Sequence, residues 1–345
     1  MTDQQSELDS QIESSTKRRG GKRSAENRTP VATPGQRGAS AAAIAAGLDF
    51  LFSRYRHGSW SLCAPSIRES AAWVTAYVLT RLGEISPEHI SHSQRQQIAE
   101  SLDWLMEVRT AKGGWGFGAT GSPDDADSTA WAVTALRQHG RSVPDEALAL
   151  IRHCHGSDGG FALIPNGSDH SNDLRPLPPS SPDATAIAVR ALASIDAASS
   201  EFLASHLRTD LHGTSCRLAS KFFVSSTLLD WEPGMAPWFV VNTVRRLASQ
   251  YPGDGAWEQA LLLRCMLRLR MQSCWALLDS LRRLQQPDGS WPGSALLVSL
   301  SPADQSGPHF DEQGILATAT ALSALAMGDL QPGLYFGSDL PFHRL

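Results

Sequence analysis

Hydrophobic positions along the chain alternate between two kinds of helical stretch. Over 40–56, 93–109, 144–154 and 273–286, apolar residues recur at helical spacing with Arg, Glu and Gln between them, as on an outer, partly wet helix. Each of these stretches leads through a turn into a second segment that is apolar on almost every side, such as Trp131-Ala132-Val133-Thr134-Ala135-Leu136. A helix with no polar face belongs inside. The alternation predicts helix pairs laid out in two concentric layers.

The turns repeat as well. Gly-x-aromatic occurs as Gly58-Ser59-Trp60, Gly113-Gly114-Trp115, Gly159-Gly160-Phe161 and Gly289-Ser290-Trp291. Glycine lets the chain leave the first helix at positive φ, and the aromatic folds back onto the helix ends. The inner segments carry Thr75-Ala76, Thr129-Ala130, Thr185-Ala186 and Thr318-Ala319, each with a leucine seven residues after the threonine (Leu82, Leu136, Leu192, Leu325). Between Gly159 and Gly289 the signal lapses. Gly213-Thr214-Ser215 reads as a unit without its aromatic, and helices near 216–229, 236–250 and 255–270 would complete about six pairs, enough to close a ring. Two turns carry long insertions, 162–182 and 292–310, and long loops on a rigid scaffold are usual places for function.

Composition narrows the class. With 345 residues, 41% hydrophobic and 19% charged, the chain is an ordinary globular protein with ample length for a core. A net charge of −5 excludes general nucleic-acid binding, which needs a basic footprint. Five scattered cysteines without a Cys-x-x-Cys pair read as reduced thiols in a cytoplasmic protein. No apolar run of about 18 residues predicts a transmembrane helix. Residues 1–38, rich in Ser, Gln, Gly, Arg and Lys, predict a disordered tail; 39–330 form the helical domain and 331–345 a C-terminal extension. The tail's Lys17, Arg18, Arg19, Lys22 and Arg23 leave peripheral contact with an anionic membrane open, beside the simpler reading of a solvated tail.

The segment Gln285-Gln286-Pro287-Asp288-Gly289-Ser290-Trp291 resembles the QW motif, Gln-x3-Gly-x-Trp, of squalene and hopene cyclases. In the three weaker copies Arg54, Arg109 and His155 hold the glutamine position. The resemblance covers roughly 40–328. It implies the α/α toroid shared by triterpene cyclases, class II diterpene cyclases and protein prenyltransferase β-subunits, here an all-α single domain. Pro123-Asp124-Asp125-Ala126-Asp127-Ser128-Thr129-Ala130 resembles the Asp-x-Asp-Asp-Thr-Ala motif of class II terpene cyclases. Asp125 then stands as the first Asp, Asp127 as the one that protonates an alkene or epoxide, and Ser128 replaces the last Asp.

The chemistry has a physical requirement. An alkene is so weak a base that its proton donor must be an un-ionised carboxyl in a dry site. Burial and a neighbouring carboxylate both favour that form. A carbocation would then rest on aromatic faces, each contributing on the order of 0.5–2 kcal/mol. The candidates are Trp73, Trp131, Trp115, Phe117, Phe222, Phe223, Trp238 and Phe239, with Asp183 beside them.

Other readings of the same residues stand next to this one. An Asp at a helix start is also a good N-cap, and Asp183 repeats the register of Asp127, two residues before its threonine. The chain could thus be a non-catalytic toroid that binds an isoprenoid or a protein. It could also act on carbohydrate through Asp127 and Asp183. Zinc finds weak support: no cysteine accompanies Asp127, Asp183, His309 or Asp311 as in prenyltransferase β-subunits, and His153-Cys154-His155-Gly156 matches only the end of a lanthipeptide-cyclase ligand set. No cofactor is expected except Mg2+ if the substrate carries a diphosphate, with His170, Asn172 and Asp173 as candidate ligands and Arg68, Arg175, Arg190, Arg245 and Arg246 as candidate grips. Class II cyclases commonly set the site between two helical domains, and this chain has length for one toroid. A partner subunit, a homodimer or the toroid's own mouth would supply the other wall.

Overall fold

The structure, a computed structural model, describes residues 34–64, 67–117, 123–164, 180–208, 215–231, 238–250, 255–271, 274–293, 295–298 and 308–330. Among these, outer helices α1 (Pro34–Ser53), α3 (His92–Glu107), α5 (Asp145–His153), α7 (Ala197–Arg208), α9 (Trp238–Gln250) and α11 (Cys274–Arg283) alternate with inner helices. The inner six are α2 (Ala72–Leu82), α4 (Ala126–Gln138), α6 (Pro182–Leu192), α8 (Ser215–Trp231), α10 (Ala256–Arg268) and α12 (Ile315–Leu330). Each inner helix packs against the next, and α12 returns to α2, so the inner layer closes on itself. The fold is an α/α toroid.

Two expectations need adjustment. The first helix begins at Pro34, inside the stretch assigned to the tail, while the rest of the tail, Gly213 and the 331–345 extension lie outside the described residues. The domain also holds two short antiparallel hairpins that helical periodicity does not register. In the first turn β1 (Leu62–Ala64) pairs with β2 (Ile67–Ser70), and in the last insertion β3 (Ala295–Val298) pairs with β4 (Pro308–Phe310). Among the described residues no helix is long and apolar enough to cross a membrane.

One hydrogen-bond device explains the sequence repeat. The backbone N–H of the turn aromatic donates to the threonine hydroxyl of the following inner helix: Trp60 to Thr75 at 3.0 Å, Trp115 to Thr129 at 3.1 Å, Phe161 to Thr185 at 2.8 Å and Trp291 to Thr318 at 3.0 Å. The indole N–H of each of the three tryptophans donates back to the preceding outer helix, at the carbonyls of Leu51, Leu105 and Leu281. The turn is thereby tied to both helices it joins. The glycine touches the outer helix of the next unit: a Cβ on Gly159 would collide with the Ala198 backbone of α7, and one on Gly289 with the Ala46 carbonyl of α1. Both sit at positive φ, 82° and 88°.

Three layers follow one another along the ring axis. Carboxyl groups stand at the N-terminal ends of the inner helices. Aromatic rings meet across the middle. Charged groups are buried at the C-terminal ends, where Arg81 of α2, Arg190 of α6, and Arg264 and Arg268 of α10 surround Glu84 and Asp230. Arg81 and Arg264 are fully buried. Arg264 bonds Glu84 at 2.7 Å and also reaches Asp230 and Ser323. Burial opposes ionisation of Asp230, yet Arg264, Arg190 and Arg81 hold it well below the usual carboxylate range.

Gly289→Ala should cost the left-handed backbone strain and the contact with α1 together, lowering Tm by about 3 °C or more. Gly140 also has positive φ, 68°, but faces open space, so Gly140→Ala carries the strain alone. Thermal unfolding of the two variants should rank Gly289→Ala clearly lower; equal losses would show that the turn does not lean on its neighbouring unit.

Candidate active site

The loop that opens α4 is held from three sides. Thr129 fixes the Trp115 backbone, the Asp125 N–H donates to the Trp115 carbonyl at 3.0 Å, and the Ala126 N–H donates to the Leu163 carbonyl at 2.7 Å. Asp125 is the N-cap. Its Oδ1 accepts from the Ser128 backbone at 2.7 Å and its Oδ2 from the Ser128 hydroxyl at 2.8 Å. Ser128, where the resembled motif has Asp, is therefore a partner of the cap. Burial raises the Asp125 carboxyl to about 6 against these hydrogen bonds. Asp124 is buried and accepts from the Thr110 hydroxyl at 2.9 Å.

Asp127 sits in the first turn of α4 and does not cap it. Burial, then the charges of Asp125 and Asp183, push its carboxyl well above the usual range. The indole N–H groups of Trp73 and Trp131 turn toward this carboxyl and partly offset that rise. Neither reaches it in a well-formed hydrogen bond, and neither has another partner. Two buried donors are thus poised around one carboxyl whose ionisation is opposed by burial and by its acidic neighbours.

Asp183 stands at the start of α6, in the same register as Asp127. It is not the cap either: Ser181 caps α6 through the Ala184 N–H. The Asp183 Oδ1 accepts from the Ser220 hydroxyl at 2.6 Å, and burial raises the carboxyl to about 6. The recurrence of an Asp at this register is therefore not a capping requirement. At α12 the cap role falls to Asp311, whose two oxygens accept from the Ile315 and Ala317 N–H groups.

Below the acids, aromatic rings touch in a string: Phe117 to Trp73 at 5.8 Å, Trp73 to Tyr77 at 6.0 Å, Tyr77 to Trp131 at 4.7 Å, Trp131 to Phe223 at 5.8 Å and Phe223 to Trp257 at 6.3 Å. The Trp257 N–H donates to the Tyr77 hydroxyl at 3.0 Å, and that hydroxyl pairs with Thr320 at 2.6 Å. These contacts join α2 with α10 and α4 with α8, helices that are not neighbours in the ring, so the rings fill its centre.

The structure gathers Asp125, Asp127, Asp183, Trp73, Trp131, Phe117 and Phe223, and separates the other predicted aromatics from them. Trp115 is locked between the layers, its N–H on Leu105 of the outer helix. Phe222 is buried in the core outside the string, and Trp238 opens outer helix α9, 65% exposed, with Phe239 against it. Tyr77 and Trp257 complete the string without having been predicted; Tyr77 occupies a segment apolar almost all round, which was a usable signal, whereas Glu258 and Gln259 beside Trp257 obscure it. His155 ends on Ser199 and Asp196 at the outer layer, and Cys154 is a buried thiol raised by burial to about 12. Arg190 belongs to the buried ion cluster, Arg245 is exposed, and Arg246 donates to the Leu207 carbonyl. His170, Asn172, Asp173, Arg175 and the side chains of Arg68 and His309 lie outside the described residues. A cavity of about 370 Å³ lies at the opposite end of α2, lined by Leu82, Ile98, Leu102 and His139, and none of the carboxyl groups above lines it.

Comparison places this geometry among known folds. A protein from Actinoplanes matches with a TM-score of 0.67 and 22% identity over 84% of this chain and 99% of that one. A variant of the type II terpene cyclase MstE from Scytonema, without ligand, matches with a TM-score of 0.69 and 20% identity over 85% of this chain and 98% of its own. Another MstE variant, in complex with the substrate geranylgeranyl dihydroxybenzoate, matches with a TM-score of 0.66 and 20% identity over the same shares. The fold is the α/α toroid seen in type II terpene cyclases. In sequence, the drimenyl diphosphate synthase of Streptantibioticus cattleyicolor is 32% identical over 117 residues, 33% of this chain. The chain spans about a fifth of the length of that curated relative, 21%. No known family description matches the chain.

Asp127→Asn should not destabilise the fold. A carboxyl whose folded pKa is raised contributes stability below its unfolded pKa near 4, and that contribution is lost as pH rises through the folded value. Wild type and Asp127→Asn should therefore unfold at the same temperature near pH 4, and the variant should gain on wild type as pH rises. Asp125→Ala, by contrast, should cost about 1–2 kcal/mol of cap stability. Thermal unfolding across pH checks both, and an Asp127→Asn variant less stable at every pH would make Asp127 a scaffold residue.

Proposed function

We propose that this chain is an enzyme, a class II-type terpene cyclase in which Asp127 starts the cyclisation of a linear isoprenoid by protonating its terminal double bond. The observation that carries this reading is a carboxyl at the start of an inner helix that is relieved of capping by Asp125, pushed well above the usual carboxylate range by burial, and set against aromatic rings. The Asp127 O–H bond breaks as its hydrogen moves to the alkene carbon. The next double bond then attacks the new cation, forming the first ring bond.

The differential stabilisation comes from this chain's own groups. Before transfer, the carboxyl is neutral and needs little from its surroundings. After transfer, it is a carboxylate, and the Trp73 and Trp131 indole N–H groups, without other partners, are the donors placed to receive it. Donors that gain strength as charge develops lower the barrier rather than deepen ground-state binding. The cation meets the faces of Phe117, Trp73 and Phe223, each contributing on the order of 0.5–2 kcal/mol.

Two relatives support an isoprenoid substrate. Type II terpene cyclase MstE takes geranylgeranyl dihydroxybenzoate in a chain that this toroid spans almost entirely, which supports a site in the mouth of one toroid. Drimenyl diphosphate synthase supports a diphosphate-bearing chain. Mg2+ would then accompany the substrate, and no step here is routed through it. A second subunit over the mouth, or a membrane from which an oily substrate is drawn, fits the same geometry. The non-catalytic reading is less favoured, since it leaves the cap at Asp125 and the orphaned indoles at Asp127 unexplained. The carbohydrate reading would ask for hydrogen-bonding groups where the aromatic string lies.

Incubation with farnesyl diphosphate, geranylgeranyl diphosphate and squalene, followed by mass spectrometry, tests the reading. A cyclic product from one of them should fall by about 10²–10⁴-fold or more in Asp127→Asn. Activity should persist through neutral pH and decline only far above the ordinary carboxylate range. No product from any substrate, or equal product from both proteins, sinks the acid mechanism.

A further inference from the structure

A cyclisation begun by a proton ends when a base removes one from a carbon beside the last cation. We propose that the Asp183 carboxylate is that base. One carboxyl of the inner layer then gives the proton that opens the reaction, and a second, one inner helix further round, takes the proton that closes it. The inference rests on the cyclase reading above and adds its terminating step.

Position comes from the repeat. Helices α4 and α6 are neighbours in the inner layer. Thr129 holds the Trp115 turn and Thr185 holds the Phe161 turn by the same bond, at 3.1 and 2.8 Å. The two helices therefore enter the ring in one register, and Asp183 stands on α6 where Asp127 stands on α4, two residues before the threonine. Helices packed side by side lie about 8–10 Å apart. Carboxyls at equal height on such a pair are one step apart around the cavity, the span of a ring or two. The carbon protonated at one and the C–H bond opened at the other then belong to the same small ring system.

Two carboxyls whose environments push their pKa values apart mark an acid and a base. Burial, then the charges of its acidic neighbours, push Asp127 well above the ordinary range. Asp183 is raised by burial only to about 6, against a Ser220 hydrogen bond that favours its charged form, so it is mostly ionised at neutral pH. The Ser220 hydroxyl donates to Oδ1 at 2.6 Å, and among the described residues nothing bonds Oδ2. His206 of α7, 3.1 Å from the same hydroxyl, is lowered to about 4 by burial and the Lys221 ammonium, so it adds no charge at neutral pH.

Other groups that could take a proton are engaged elsewhere. Asp125 commits both oxygens to Ser128, and Asp311 commits both to the α12 backbone. Asp124 is buried on the Thr110 hydroxyl, and Glu258, in the first turn of α10, is buried and engaged. The Tyr77 oxygen receives the Trp257 N–H and pairs with Thr320, whose own hydrogen goes to the Leu316 carbonyl. The step balances. A C–H bond beside the cation breaks, its electron pair becomes the new C=C bond, and the hydrogen passes to Asp183 Oδ2. Asp183 is half-buried and releases that proton to water; Asp127, half-buried as well, recovers one from water. One proton enters and one leaves, so the product is an isomer of the substrate.

Product identity reads a terminating base where rate alone does not. With farnesyl diphosphate, geranylgeranyl diphosphate or squalene, wild type should give a cyclic alkene isomeric with the substrate. Asp183→Asn keeps the shape of the side chain and an oxygen for Ser220. It should still consume substrate, because initiation belongs to Asp127. It should form the wild-type alkene about 10²-fold more slowly, with double-bond isomers and water adducts in its place. Asp183→Glu, which keeps a carboxylate, should return part of the original alkene. Ser220→Ala provides the test if Asp183→Asn does not fold. Wild type should lose its alkene to other products as pH falls through about 6 and Asp183 takes up a proton. Without the Ser220 hydrogen bond that change should move to higher pH. An unchanged product profile in Asp183→Asn, an unshifted pH in Ser220→Ala, or a wild-type product carrying an added water overturns the base and leaves the acid role of Asp127 standing. Loss of all substrate consumption in folded Asp183→Asn also overturns it, by placing Asp183 in initiation. No wild-type product, or equal product from Asp127→Asn, overturns the cyclase reading itself, and the base with it.

Discussion

A threonine side chain that accepts the N–H of a turn aromatic is the joint on which the molecule is built. An inner helix that is apolar on every side has nothing in its surface chemistry to fix how far it slides or rotates. The hydroxyls of Thr75, Thr129, Thr185 and Thr318 supply that registration by binding the turns at Trp60, Trp115, Phe161 and Trp291. Each bond is buried, so breaking it would strand a backbone N–H at a cost of about 1–3 kcal/mol. Asp127 and Asp183 stand two residues before Thr129 and Thr185. Their direction along the ring axis is inherited from the joint, and so are the opposed environments of Asp125 and Asp127: one carboxyl turns back to the backbone and the other turns inward.

The opposite end of the ring solves a different problem. Four guanidinium groups gather around two carboxylates, which leaves a positive surplus inside protein. Unpaired, such charges would be ruinous. The C-terminal ends of the inner helices converge on this place, each presenting a partial negative charge of roughly half an electron. The fold itself offsets part of the surplus. Glu84 and Ser323 complete the network, with Ser323 donating to Glu84 at 2.6 Å. Parallel inner helices thus put an anion-friendly end and a cation-friendly end on one axis, and burial raises the acids at the former against the pull of the N-terminal dipoles.

How much of this could be read from the residues depends on distance along the chain. The turn glycines, the aromatics and the Thr-Ala marks act within one helix pair, and they predicted the alternation of layers. Ser128 and Asp125 are three residues apart, yet which carboxylate would cap was undecidable until the loop was seen held by Trp115 and Leu163. Trp115 and Trp238 were assigned to a site on residue type alone, whereas the first answers to a carbonyl on the outer helix and the second to the surface. The ion cluster joins Arg81, Asp230 and Arg264 from three inner helices, and pairing at that range leaves no local pattern. A hint existed nonetheless, because Arg81 is the one charged residue in the segment Ala72–Leu82. The hairpins escaped because each strand is three or four residues long inside an insertion.

Arg81 carries a consequence for any positive charge that travels down the ring. Its guanidinium lies 5.0 Å from the Tyr77 ring centroid and 5.6 Å from that of Trp131, so those π-faces already serve a resident cation. Trp73 and Arg81 are separated on α2 by about 12 Å of helical rise. A migrating cation at the upper ring would feel repulsion of about 1 kcal/mol per surplus charge at that range. Under the proposed cyclisation, that field would keep a carbocation out of the lower half of the barrel before shape did, and would cap from beneath the depth to which a growing polycycle could descend.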